Sequence, residues 1–207
     1  MKKQLNASQI SLLGLMTALL LLMAYTPLGY LNIGPLAITL NTIPVAISAL
    51  ALGPVGGAVA GAIFGLTSFG QCLGIGGSSA MGVMLLGINP VFAFIQRFVP
   101  RVLMGYLVGL LSQKVFCKLP RFLHCALTGF FAAFFNTLFF MSALLLLFGN
   151  TEYVQGLVNG RNYLVFVCAF VGVNAVFEMC FSTAVCGLVG YALSRAHLLG
   201  TMERSTL

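Results

Sequence analysis

Charge is nearly absent from this sequence. Lysine and arginine supply ten residues and glutamate three, with no aspartate, in a chain of 207. Charged residues make up 6% of the total and hydrophobic ones 60%, whereas a soluble domain carries about 25% charged residues. A water-facing surface cannot be assembled from so few charges, which excludes a soluble globular protein and predicts a polytopic membrane protein. The scarcity of acids also excludes a paired-carboxylate site for metal or acid–base chemistry. No HExxH, Walker A or Ser/His/Asp arrangement takes its place. The reading is therefore no enzyme, with no catalytic residue, metal ligand or cofactor. The basic excess of +7 is scattered at segment ends rather than gathered into a patch, so nucleic acid is not an expected partner. Cys72, Cys117, Cys125, Cys168, Cys180 and Cys186 show no CxxC spacing and read as small hydrophobes.

What is present is apolar runs of about 20 residues, the length a bilayer requires. The N-terminus, MKKQLNASQISLLGLMTALLLLMAY, has a longer apolar run than a cleaved leader and reads as a retained first span over 8–25. Further spans are expected at 42–52, 56–69, 90–111, 122–148 and 163–192, the second and third being short. The segment GQCLGIGGSSAMGVMLLGINP is too polar and broken to span and is placed at the outer face. This predicts an all-α membrane protein, a single domain over 1–207: a six-transmembrane-helix bundle with cytoplasmic N- and C-termini. Charge supports that orientation. Lys2, Lys3, Lys114, Lys118, Arg121, Arg195 and Arg204 fall inside, and Arg161 lies outside with Glu152.

The remaining two cations, Arg97 and Arg101, sit four apart within VFAFIQRFVPR. At 1.5 Å per residue they lie roughly 10–17 Å below the outer start of their span. Asn174 and Glu178, also four apart, lie roughly 16–23 Å from theirs, and Asn136 lies roughly 18 Å from its outer end. Residues spaced i, i+4 share a helix face, so three helices present polar groups in overlapping layers. Such residues face a bundle interior or a wet cavity. Arg101 is closest in depth to Glu178, either as a structural ion pair or in contact with a ligand. That leaves Arg97 without a protein anion: it either snorkels to lipid phosphate or grips a bound carboxylate or phosphate. Asn136 and Asn174 are either ligand contacts or interhelical glue. His124 and His197 are expected at the interface.

Small residues form two ridges. Gly53, Gly57, Gly61 and Gly65 repeat every four residues, and Gly14 and Ala18 form a small-xxx-small pair in the first span beside Ser11. The first ridge reads as packing within the molecule or against another chain. The second is the better docking face for a partner.

Together with the run NTIPVAISALALGPVGGAVAGAIFGLTSF, these features resemble the S components of energy-coupling factor (ECF) vitamin transporters over roughly residues 5 to 195. The family's first-span pair is usually Ala-xxx-Ala; here Gly14 replaces the first alanine. The resemblance implies a prokaryotic plasma-membrane protein that binds a vitamin from outside. It also implies partners: a transmembrane coupling protein and two ATP-binding-cassette ATPases. The implied site lies in the outer half among spans four to six, capped by the loop between spans one and two. The stretch GAIFGLTSFGQCLG…LLGINPVFAFIQRFVPRVLMG is similar to pantothenate-type S components. That similarity implies Arg97 for the ligand carboxylate and Asn89, Gln71, Asn136 and Asn174 for its hydroxyls and amide. Arg101 and Glu178 lie beside them, and Asn41 and Tyr30 close the lid. Asn89 equally reads as the cap of the fourth span. The competing readings are a membrane-embedded enzyme acting on a lipid phosphate, an S component for riboflavin or folate, and a small channel or secondary transporter.

Overall fold

The first apolar run folds as α1 (Ala7–Ala24). Its Leu12, Met16, Leu20 and Ala24, spaced four apart, are buried, and the first three join a core with residues of the next helix. In the computed structural model the described residues are 7–26, 29–32, 37–76, 79–160, 162–196 and 199. Lys2, Lys3, Arg161, His197, Glu203 and Arg204 lie outside them, as does the Tyr30 side chain.

The segment after α1 departs from the expected surface loop. It forms two antiparallel three-residue strands, β1 (Tyr30–Asn32) and β2 (Ala37–Thr39), in register Tyr30↔Thr39. Apart from this hairpin the ordered elements among the described residues are helical. β2 leads inward: Thr39, Asn41 and Thr42 are all buried.

α2 (Thr42–Cys72) is broken at Gly53, whose φ of 71° and ψ of −151° are not helical, and Pro54 follows directly. Only glycine adopts that backbone without strain. Residues eight apart in a continuous helix stand roughly 12 Å apart. Here a Cβ on Gly57 would meet the Ala49 side chain, at 3.0 Å, and one on Gly56 would meet the Ser48 carbonyl, at 2.8 Å. The chain therefore folds back, and α2 consists of two arms, 42–52 and 54–72, matching the second and third expected segments. The second arm continues to Cys72 rather than ending near Phe69. The glycine-rich stretch beyond it, expected to be too broken to span, contains the short α3 (Ala80–Ile88), capped by the Ser79 hydroxyl accepting from the Gly82 N–H at 3.2 Å.

α4 (Pro90–Lys114), a short 3₁₀ turn (Phe116–Lys118), α5 (Arg121–Phe148), α6 (Glu152–Val158) and α7 (Tyr163–Arg195) complete the chain. The short helix α6 had no counterpart in the expected spans. Among the described residues, four helices are long and apolar enough to cross a membrane: α2, α4 with the 3₁₀ turn, α5, and the Val171–Arg195 portion of α7. α1 contributes a shorter apolar stretch, Gln9–Ala24.

Contacts fix the directions. The glycine ridge of the second α2 arm packs within the molecule: a Cβ on Gly57 would overlap the Gly105 carbonyl oxygen, one on Gly61 the Arg101 carbonyl oxygen, and one on Gly65 would lie 2.9 Å from Phe98 Cα. The partner numbers fall as the ridge rises, so the arm and α4 are antiparallel. In lipid, where apolar burial against tails brings no gain, such close backbone approach is what holds helices together. α5 runs against α4, with Ser112 beside His124 at one end and Phe92 beside Phe148 at the other. α7 runs against α5, with Ser182 and Cys186 against Gly129 and Gly190 against Cys125. The first α2 arm follows α7, from Thr42 beside Ser182 to Leu50 beside Gly190.

Two apolar clusters result. One holds Phe64, Met104, Ala132 and Cys186; the other holds Ala93, Met141, Val171 and Ala175. On α4, α5 and α7 the polar residues Arg97, Arg101, Asn136 and Glu178 fall between members of the two, so the fold has a polar waist. His124, expected at the interface, is buried and shares a 2.8 Å hydrogen bond with Ser112.

Candidate functional site

The end of the bundle where Leu50, Gln113, Cys125 and Gly190 lie gives a common baseline. Counting 1.5 Å per residue from it, Arg101, Asn136 and Glu178 stand at roughly 16–18 Å. Ser68, Phe140, Asn174, Gln96 and Arg97 stand at roughly 22–26 Å. The two layers predicted from sequence are thus brought together.

Arg97 lies in the upper layer, only 7% exposed. It faces the bundle interior, so the lipid-snorkelling alternative does not describe it. Its Nη1 donates to Ser68 Oγ at 3.4 Å and its Nη2 to Ser79 Oγ at 3.2 Å, and the guanidinium rests 5.3 Å from the Phe140 ring centre. Hydroxyls and a π face orient a cation without neutralising it. Among the described residues no carboxylate binds Arg97, and its Nε has no partner. Gly82 keeps the approach open: a Cβ there would lie 3.1 Å from Arg97 Nη2 and 2.6 Å from Cys72 Sγ.

Arg101 occupies the lower layer, between the rings of Phe64 and Phe140 at 4.8 and 5.1 Å, and donates Nη1 to the Arg97 carbonyl at 2.8 Å. In the same layer, Glu178 Oε1 accepts the Thr39 N–H at 2.6 Å. Thr42 and Ser182 share a second bond, at 3.2 Å, one turn along α7. Glu178 therefore stands between the arginine layer and the end of β2, fastening the hairpin to α7. If Arg101 and Glu178 support each other, neutralising one should destabilise the fold more than neutralising both. A double-mutant cycle with Arg101→Met and Glu178→Gln, read by thermal unfolding, should show a coupling of about 0.5–3 kcal/mol; additive losses would exclude a pair.

The other expected site residues divide. Asn136 is buried with its Oδ1 unpartnered, and Asn41 is fully buried with neither amide atom hydrogen-bonded. Asn174 is buried at the level of Arg97. Gln71 commits its Nε2 to the Ala24 carbonyl at 2.8 Å, closing the end of α1. Asn89 accepts from the Val91 and Phe92 N–H groups at 3.1 and 3.2 Å, capping α4 with Pro90 in the first turn. Sequence reasoning missed Ser68, Ser79, Phe64, Phe140 and Gln96. Only Gln96, adjacent to Arg97, carried a signal; the others depend on α2, α3 and α5 converging.

Away from these residues, along its first turns, α1 is half covered. Gly14 and Ala18 are exposed, no atom lies within 4 Å of a Cβ on Gly14, and Leu15, Leu19 and Leu22 around them are 61%, 38% and 52% exposed.

The family model of the ECF transporter substrate-specific component matches residues 8–189, from α1 through nearly all of α7. The chain belongs to this family. No curated protein sequence matches it. As an S component it is a membrane-embedded, substrate-binding subunit of an ECF transporter and not an enzyme. The polar waist lies wholly within the matched residues, and membership implies a small-molecule substrate and an ECF module as partner.

Proposed function

We propose that this S component binds pantothenate, or another small carboxylated vitamin, from outside the cell, with Arg97 gripping the carboxylate. The observation that carries the reading is a buried guanidinium held, among the described residues, by two hydroxyls and an aromatic face. Burying such a charge is expensive unless an anion completes it, and a planar fork of donors suits a carboxylate. Asn136 and Asn174 line the same waist, Asn41 closes it from the inner end of the hairpin, and Arg101 with Glu178 sets its lower boundary. Asn89 and Gln71 support the site from its edges, since their side chains already hold α4 and α1.

Six segments with both termini cytoplasmic fit the alternating directions of the second α2 arm, α4, α5 and α7 together with the charge distribution. In this reading residues 1–207 form one substrate-binding domain, and the exposed Gly14–Ala18 face of α1 docks the transmembrane coupling protein that works with two ABC ATPases. Replacing Gly14 or Ala18 with leucine should abolish vitamin uptake in cells expressing the whole transporter while leaving binding by the isolated chain within about twofold. Unchanged uptake would remove α1 from the docking surface.

The direct test is equilibrium binding of radiolabelled pantothenate to the purified chain. One tightly held molecule per chain is expected. Failure to bind pantothenate, with one molecule of riboflavin or folate held per chain instead, would replace this reading with an S component for that vitamin.

A further inference from the structure

Gln96, like Asn41, is a fully buried side-chain amide without a partner. It is 0% exposed, and neither Oε1 nor Nε2 has a hydrogen-bond partner. Its main chain is also unusual: residue 100 is a proline within α4, so the N–H that would donate to the Gln96 carbonyl in the helical ladder is missing. A carboxamide oxygen and the two N–H groups beside it are left unpartnered inside a membrane protein, where unsatisfied groups are most costly. Gln96 lies on the buried stripe of α4 with Ala93, Pro100 and Met104. Ala93 belongs to the upper cluster with Phe166 and Val171 of α7, so this stripe looks toward the interior. An apolar residue of similar shape would fill such a place without penalty. A carboxamide at this place is instead explained by a bound group that both donates and accepts.

We propose that Gln96 is a specificity-determining contact that reads a secondary amide of the ligand. Oε1 accepts the ligand N–H, and Nε2 donates to the ligand carbonyl. This deepens the carboxylate reading given above and rests on it. Consecutive helical residues diverge by about 100°, so Arg97 and Gln96 address two groups of one molecule only if these are a few bonds apart. The substrate class is therefore a small carboxylate with an amide close to its acid end. A carboxylate lacking that amide would leave Gln96 unsatisfied and bind weakly.

The test compares pantothenate with its ester analogue, in which oxygen replaces the amide N–H, on the full chain and on Gln96→Met. The wild-type chain should prefer the amide by about five- to a hundredfold in Kd. Gln96→Met should bind both compounds with equal, lowered affinity, while the ligand-free variant unfolds at no lower temperature than the wild type. Gln96→Leu provides the same comparison should the methionine variant fail to fold. A variant that keeps wild-type affinity and preference would overturn the inference and leave the carboxylate reading standing. A wild-type chain that binds neither compound would overturn both.

Discussion

Arg97→Ala should weaken vitamin binding by between about thirtyfold and several thousandfold, the 2–5 kcal/mol typical of removing one member of a buried charge pair. The sign of the accompanying stability change is equally informative. In the ligand-free protein the guanidinium is buried, and among the described residues Ser68, Ser79 and Phe140 hold it without a counter-charge. Removing an uncompensated buried charge does not destabilise a fold the way breaking a satisfied pair does. Thermal unfolding of ligand-free Arg97→Ala should therefore occur at or above the wild-type temperature, while stabilisation by added ligand disappears. Arg97→Lys keeps the charge but loses the fork and should recover only part of the affinity. A fall in ligand-free stability together with unaltered affinity would mean that Arg97 is a structural residue.

Gly105→Leu should be the most damaging change away from the site. A Cβ on Gly105 would overlap the Gly57 carbonyl oxygen and approach Val45 Cγ1 at 3.2 Å, and a leucine adds three further carbons with nowhere to go. Overpacking of this kind costs about 1–3 kcal/mol and occasionally more, here at the seam that joins both arms of α2 to α4. Loss of the monodisperse protein in detergent, or a marked fall in unfolding temperature, is the expected result. Gly14→Leu, at an equally small residue, should leave both unchanged because nothing lies within 4 Å of that position. The pair separates a glycine needed for folding from one available to a partner. Equal stability of the two variants would contradict the seam.

Much of this arrangement is legible in the chain itself. Lengths of apolar runs place α1, α4, α5 and α7 within a few residues, and the i, i+4 spacing of Arg97 with Arg101 and of Asn174 with Glu178 brings them into adjacent layers. The glycine ridge announces close packing, and the structure assigns it to α4. What could not be read is where the irregular segments go. The stretch after α1 contains turn residues and little charge, which suits an outer loop. Only the bonds from Thr39 to Glu178 and from Thr42 to Ser182 draw it into the bundle, and those partners lie about 140 residues away. Likewise, the glycine-rich stretch before α4 hides a helix whose capping Ser79 also holds Arg97. Asn89 and Gln71 illustrate the converse: polar residues near a site that are occupied by helix ends. Pattern reveals a polar residue in an apolar span, but its partner is decided by tertiary register.

Binding, in this protein, turns on a carboxylate neutralising Arg97. The most direct measurement is calorimetric binding of pantothenate and of its neutral primary-alcohol analogue to the purified chain at low salt. The acid should bind one per chain, with an advantage of at least about thirtyfold over the alcohol, and Arg97→Ala should erase that advantage. Equal affinity for the charged and neutral compounds, in a chain whose Arg97 is intact, would contradict it.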